Sequence, residues 1–102
     1  MSKENLSNEQ LVALIQGGVD VQDNLCRLWQ QNKAFVTTIA KHFCGCAEFD
    51  DLLQEGYLGL CKAVDAYDPD KGSFVHYAAY WIRQGIFLES AGTAEGNIMG
   101  YG

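Results

Sequence analysis

The sequence predicts an all-α fold, a compact bundle of about four helices with a disordered C-terminal tail. Three observations carry this expectation. Apolar side chains recur three and four residues apart in several stretches, the spacing of one helix face. No stretch sustains the apolar–polar alternation of a half-buried strand. Pro69 is the only proline in 102 residues, so long stretches lack a helix breaker. The expected division is an N-terminal extension over 1–7, one helical domain over 8–88 and a flexible tail over 89–102.

The elements follow in chain order. Ser7 with Gln10 forms a capping box. Leu11, Leu14 and Ile15 then make a short apolar stripe that Gly17-Gly18 ends. Asp20 is placed to cap a longer helix. Its apolar positions are Val21, Leu25, Leu28, Trp29, Phe35, Val36, Ile39, Ala40 and Phe43, with Gly45 as its stop. Asp50 is placed to cap a third helix with the stripe Leu52, Leu53, Tyr57, Leu60, Val64 and Tyr67. Gly56 and Gly59 lie inside it, each costing about 1 kcal/mol against alanine. That cost predicts a second helix pressed close against them. Asp68-Pro69-Asp70-Lys71-Gly72 is a turn by composition. Ser73 is placed to cap a fourth helix from Phe74 to about Leu88. Beyond Glu89 the chain is rich in Gly, Ala and Thr and has no periodicity.

Charge narrows the function classes. Thirteen acidic side chains against seven basic ones give a formal charge of −6. Residues 48–70 hold Glu48, Asp50, Asp51, Glu55, Asp65, Asp68 and Asp70 against Lys62 alone, so the whole imbalance sits there. The balance argues against gripping duplex DNA with the whole surface. The acidic stretch reads either as a solvated helix face or as a docking face for a basic partner. No apolar run nears the roughly 18 residues of a spanning helix, and no basic-then-apolar start suggests a signal peptide. A cytoplasmic protein with no membrane partner is expected.

Cys26 and Cys61 stand among apolar neighbours and read as small buried hydrophobes. His42, Cys44 and Cys46 invite a zinc reading, but they crowd too closely for paired ligand knuckles and no second pair follows. No metal and no cofactor are expected. Nor is an enzyme, because His42 and His76 lie on different helices without evident partners for nucleophilic or acid–base work.

The fourth helix holds the densest cluster. Phe74, Tyr77 and Trp81 fall on one face at 100° per residue, and Tyr80 lies beside Trp81. Arg83 and Gln84 follow within a turn. Such a stripe is commonly core, and Phe74 and Ile82 are core candidates on any reading. The others carry polar handles. Rings beside a cation and an amide also suit single-stranded nucleic acid, where bases stack for about 1–3 kcal/mol each and arginine takes the phosphate.

Three segments together carry a family resemblance. They are Asp51-Leu52-Leu53-Gln54-Glu55-Gly56-Tyr57-Leu58-Gly59-Leu60, then Lys62-Ala63-Val64-Asp65-Ala66-Tyr67-Asp68, then Tyr77-Ala78-Ala79-Tyr80-Trp81-Ile82-Arg83-Gln84-Gly85-Ile86. In this order and separation they resemble region two of bacterial RNA polymerase sigma factors, a likeness running from about residue 8 to residue 86. The resemblance implies two jobs. The helix with Asp51, Gln54, Glu55 and Tyr57, and Cys61 at its edge, would dock on the coiled-coil clamp helices of the largest subunit of core RNA polymerase. The aromatic helix would open the promoter minus-ten element and capture bases of the single-stranded non-template strand. By position, Tyr77 would stack on a flipped base, Tyr80 with Trp81 would fill the gap at the upstream fork, and Gln84 would touch the last paired base. Lys62 and Arg83 would hold phosphates, and Phe74 and His76 complete the expected DNA set. An anti-sigma factor is a further partner class that the resemblance admits.

This chain departs from the family pattern at three places. Tyr80-Trp81 stands where primary members carry two tryptophans, so weaker or altered melting is expected. His76 stands where a small hydroxyl residue is usual. No cation follows Arg83, which leaves few groups for upstream duplex DNA. The alternative is a truncated, protein-only module that binds polymerase without melting the promoter. It would require Tyr77, Tyr80 and Trp81 all to be sealed in the core.

Overall fold

The computed structural model describes residues 6–43, 45 and 47–98, with side chains described to residue 90. Four helices form, α1 (Asn8–Gln16), α2 (Val21–His42), α3 (Phe49–Ala66) and α4 (Phe74–Ile98), with a 3-10 turn over Pro69–Lys71. The fold is all-α, as the periodicity predicts, and no strand occurs among the described residues. No described helix is long and apolar enough to cross a membrane.

Local signals start the chain as expected. The Ser7 hydroxyl accepts from the Gln10 amide at 3.1 Å, and the Gln10 side chain accepts from the Ser7 amide at 2.8 Å. Gly17 closes α1 and Gly18 takes φ +78° in the turn.

The other three expected side-chain caps do not form. Asp20 holds the N-cap position of α2 but has φ 40°, outside the extended region that side-chain capping needs, and makes no side-chain cap bond. Its carbonyl still accepts from the Asn24 amide at 2.9 Å. At α3 the helix begins at Phe49, with no side-chain cap from Glu48. Asp50 and Asp51 therefore lie inside the first turn, where their charge complements the helix dipole. At α4 the Phe74 amide donates to the Glu9 carboxylate of α1 at 2.7 Å, so a distant helix satisfies the first free amide of α4.

Helix α1 also closes the far end of α3. The Gln16 side-chain amide donates to the Val64 carbonyl at 2.8 Å and to the Tyr67 carbonyl at 2.9 Å, which would otherwise be orphan acceptors. The phenol of Tyr67 donates to the Gly72 carbonyl, clamping the same turn. Nine residues of α1 thus pin the α3–α4 connection from both sides. Glu9→Ala and Gln16→Ala are each expected to lower the unfolding free energy by about 1–2 kcal/mol. Urea denaturation checks this. If both variants match the parent, neither hydrogen bond helps hold α1 in place.

The core gathers Leu11 and Val12 of α1, Leu28, Val36 and Ile39 of α2, Leu52, Leu60 and Val64 of α3, and Phe74, Ile82 and Ile86 of α4. Helices α3 and α4 share the most extensive interface. The close approach predicted at the two glycines is present. A Cβ on Gly59 would lie 2.7 Å from the Trp81 carbonyl oxygen, and one on Gly56 would lie 2.4 Å from Val36 Cγ1. From the other side, a Cβ on Gly85 would meet the Glu55 carbonyl at 3.1 Å.

Two buried amides escaped the apolar pattern. Asn32 donates to the Leu28 carbonyl at 2.8 Å and to Asn8 Oδ1 at 3.0 Å, tying α1 to α2. Asn24 donates to the Val19 carbonyl at 2.9 Å and stiffens the turn between them.

Two further differences concern α4 and the cysteines. Helix α4 runs past the expected stop near Leu88 to Ile98. The Ser90 hydroxyl turns inward and donates to the Phe87 carbonyl at 2.9 Å, and one more hydrogen bond per added residue keeps an existing helix growing. The last four residues of the expected tail lie outside the described residues. Cys26 is exposed and Cys61 half-buried, against the expectation of two buried thiols. At 100° per residue, inward-turning Leu25 and Leu28 leave Cys26 on the outer side of α2. Cys44 and Cys46 lie outside the described residues, so the zinc reading stays untested, and no metal-holding cluster occurs among the rest.

Candidate nucleic-acid interface

Helix α4 divides its aromatic residues by depth. Phe74 is fully buried, its ring edge-on to Tyr67 at 5.2 Å. A base cannot reach it, so Phe74 leaves the DNA set and belongs to the core. From there the rings form a continuous series toward solvent. Tyr67 meets Tyr77 at 5.6 Å, Tyr77 meets Trp81 at 6.4 Å, and Trp81 meets Tyr80 at 5.9 Å. Tyr77 and Trp81 are half-buried, whereas Tyr80 is 62% exposed. The core end anchors the series, and the outer end leaves apolar ring surface in water, a cost that a stacking base would relieve.

Two details shape this surface. The Lys71 ammonium lies 5.8 Å from the Tyr77 ring centre, so a cation already sits beside the ring expected to take a base. The Trp81 indole nitrogen is buried without a hydrogen-bond partner, an arrangement costing about 1–3 kcal/mol.

Depressions flank the exposed ridge of Tyr80 and Gln84. One, of about 220 Å³, is a cleft between α3 and α4 that includes Glu55, Lys62, Trp81 and Leu88. The other, of about 400 Å³, includes His76, Arg83 and Phe87. Lys62 and Arg83, expected to serve one strand together, therefore stand on opposite sides of the ridge. His76, Arg83 and Gln84 are all exposed.

The expected docking residues spread over a broad arc of α3. Asp51 and Gln54 are exposed; Glu55, Tyr57 and Cys61 are half-buried. Glu55 borders α4, its carboxylate oxygen 3.9 Å from where a Gly85 Cβ would stand. Tyr57 borders α2, its ring edge-on to Trp29 at 5.2 Å. Burial pushes the Tyr57 phenol up, and its hydrogen bond to Cys61 adds to this. Burial likewise pushes the Cys61 thiol up, opposed by that same bond and helped by Asp65. Both groups therefore stay neutral at neutral pH.

Sequence reasoning missed Leu58, which is 42% exposed among the acidic side chains of α3. The signal was present, since Leu58 lies off the stripe of Leu53, Tyr57 and Leu60. It also missed the Trp29–Tyr57 pair, which joins two helices and leaves no local trace.

An acidic helix thus packs through glycines on a helix with open aromatic rings. The chain matches the family model of sigma-70 region 2 over residues 28–87 and belongs to that family. It is 45% identical over 76 residues to the RNA polymerase sigma factor SigA of Lactococcus lactis subsp. cremoris, covering 72% of this chain and 21% of that protein. SigA of Lactococcus lactis subsp. lactis is likewise 45% identical, with 72% of this chain and 20% of that protein covered. SigA of a Bacillus species is 48% identical over 62 residues, covering 59% of this chain and 16% of that protein. The chain thus spans about a fifth of the length of the curated Lactococcus relatives it matches.

Proposed function

We propose that this domain docks on core RNA polymerase through the acidic face of α3 and captures non-template bases of the minus-ten element on α4. The observation that carries the reading is the exposure of Tyr80, with Tyr77 and Trp81 half-open beside it, on a helix whose other side is locked in the core. The protein-only alternative needs all three rings sealed, so this exposure favours base capture.

The mechanism follows from differential binding. Flipping a base costs a few kcal/mol. Stacking on two or three rings returns about 1–3 kcal/mol for each base, so an opened strand is held once thermal motion exposes it. No nucleotide hydrolysis is required. Tyr77 takes the flipped base, Tyr80 and Trp81 fill the fork, and Gln84 meets the last pair. Lys62 and Arg83 hold phosphates on the two sides of the ridge, which sets the strand's path across it. The acidic face of α3 steers a basic coiled coil toward the domain. Work beside the polymerase places the protein in the cytoplasm, and an anti-sigma factor would compete for the same face.

A fluorescent non-template minus-ten oligonucleotide mixed with the domain and core polymerase is expected to change signal, and Tyr77→Ala to reduce the change several-fold. An unchanged signal for that variant would refute base capture. Without polymerase, duplex DNA is expected to bind weakly at physiological salt, because the net charge of −6 repels phosphate. Submicromolar duplex affinity in a filter-binding assay would contradict this.

A further inference from the structure

On the Arg83 side of the α4 ridge, a groove of about 610 Å³ runs between the end of α2 and α4. Phe35, Ile39 and Phe43 line it from one side and Phe87 from the other, with His42 and Arg83 exposed along it. Phe87 is 55% exposed and meets Phe43 edge-on at 6.3 Å. Leu88 beside it is also exposed, so a continuous apolar surface stands open to water here.

Charge selects what fits. From Asn24 to Ala47 the chain holds Arg27, Lys33 and Lys41 and no acid. From Lys71 to Leu88 it holds Lys71 and Arg83 and again no acid. Both walls of the groove therefore come from acid-free stretches. Neither His42 nor Arg83 forms an ion pair among the described residues. An acidic helix with an apolar anchor is complementary to such a groove.

The chain itself carries one. Leu58 is the exposed large apolar side chain of α3. Asp51, Glu55 and Asp65 lie three or seven residues from it and share its face, against Lys62 alone. A chain cannot fill its own groove. Leu58 and Lys62 line the cleft on one side of the Tyr80–Gln84 ridge, whereas Arg83 and Phe87 lie on the other. The edge-on contact of Phe43 with Phe87 leaves a notch for an aliphatic side chain rather than an open ring face for a base. We infer that the groove receives α3 of a second copy, with Leu58 seated against Phe43 and Phe87 and the acids facing His42 and Arg83. The contact is head-to-tail, joining one face of a copy to a different face of the next. It covers Gln54 and Glu55, so self-association and polymerase docking exclude each other. Only that consequence rests on the docking reading proposed above.

The test is sedimentation of the full chain without polymerase, over a range of protein and salt concentrations. The average mass is expected to rise with protein concentration, and added salt to lower it, because opposite charges draw the faces together. Phe87→Asp and Leu58→Asp are each expected to weaken association at least about tenfold. Both side chains are exposed, so a thermal melt should show both variants folded. Arg83→Glu, at an exposed position, is expected to act in the same direction and stays informative if either apolar change costs stability. The decisive sample is a mixture. Phe87→Asp keeps its α3 and Leu58→Asp keeps its groove, so together they should restore one contact and form a dimer that grows no further. A parent that stays monomeric at every concentration overturns the proposal. So does a mixture that stays monomeric while the parent associates, which would mean that like faces meet. A monomeric parent that binds a single-stranded oligonucleotide, with Phe87→Asp abolishing that binding, would assign the groove to nucleic acid and overturn the proposed occupant. Polymerase is absent from these measurements, so their failure leaves the docking reading standing, and Gln54→Ala with polymerase tests that reading separately.

Discussion

Replacing Gly59 by alanine is expected to destabilise the domain by about 2 kcal/mol and to lower the melting midpoint by roughly 10 °C. The added Cβ would stand 2.7 Å from the Trp81 carbonyl oxygen and 2.9 Å from Ile82 Cα. Both are backbone atoms, so no rotamer change relieves the clash and α4 must move away from α3. Alanine's better helix propensity returns only about 1 kcal/mol. The displaced helix carries Tyr77, Tyr80 and Trp81, so base capture should weaken together with stability. Gly56→Ala provides the contrast. Its clash is with a side chain, 2.4 Å from Val36 Cγ1, and pairing it with Val36→Ala should restore part of the loss. Calorimetry of the three variants checks the argument. A Gly59→Ala midpoint within about 2 °C of the parent, under half the shift expected for 1 kcal/mol, would show that the interface yields easily.

Truncating the proposed docking face is expected to weaken core polymerase binding by at least about tenfold for Gln54→Ala and for Glu55→Ala in a pull-down or titration. Gln54 is the cleaner probe, because it is exposed and its truncation should leave the fold intact. Glu55 also lines the α3–α4 cleft with Lys62, Trp81 and Gln84, so its loss should disturb DNA contacts as well. If both variants bind as well as the parent, the clamp assignment is wrong. Asp51→Asn should mainly slow association at low salt, since a rim charge acts on encounter more than on lifetime.

Much of this architecture was legible in the chain. The four apolar stripes, the Ser7–Gln10 box, the turn at Pro69 and the two glycines inside α3 are local features, each with a local cause. The glycines are the clearest case, because their cost in an isolated helix has only one profitable explanation, a neighbour at backbone distance. The caps show the limit. Glu9 and Gln16 meet Phe74, Val64 and Tyr67 across 48 to 65 residues of chain, and no spacing rule reaches that far. Three local candidates, Asp20, Asp50 and Ser73, were chemically suitable and were passed over for geometry and for α1.

The two proposed faces divide in the same way. Residue types and their order placed aromatics with a cation on α4 and acids on α3, and periodicity named the stripe that includes Phe74. Depth was a different matter. Whether Phe74 or Tyr80 faces water depends on which side of α4 meets α3, and that is settled by Gly59 and Gly85 letting the two backbones touch. The separation of Lys62 from Arg83 has the same origin, and the groove beside Phe87 needs α2 and α4 together. Periodicity is a property of one helix and is written in the chain. Exposure, cleft and groove are properties of pairs of helices, and they exist only once the helices have packed.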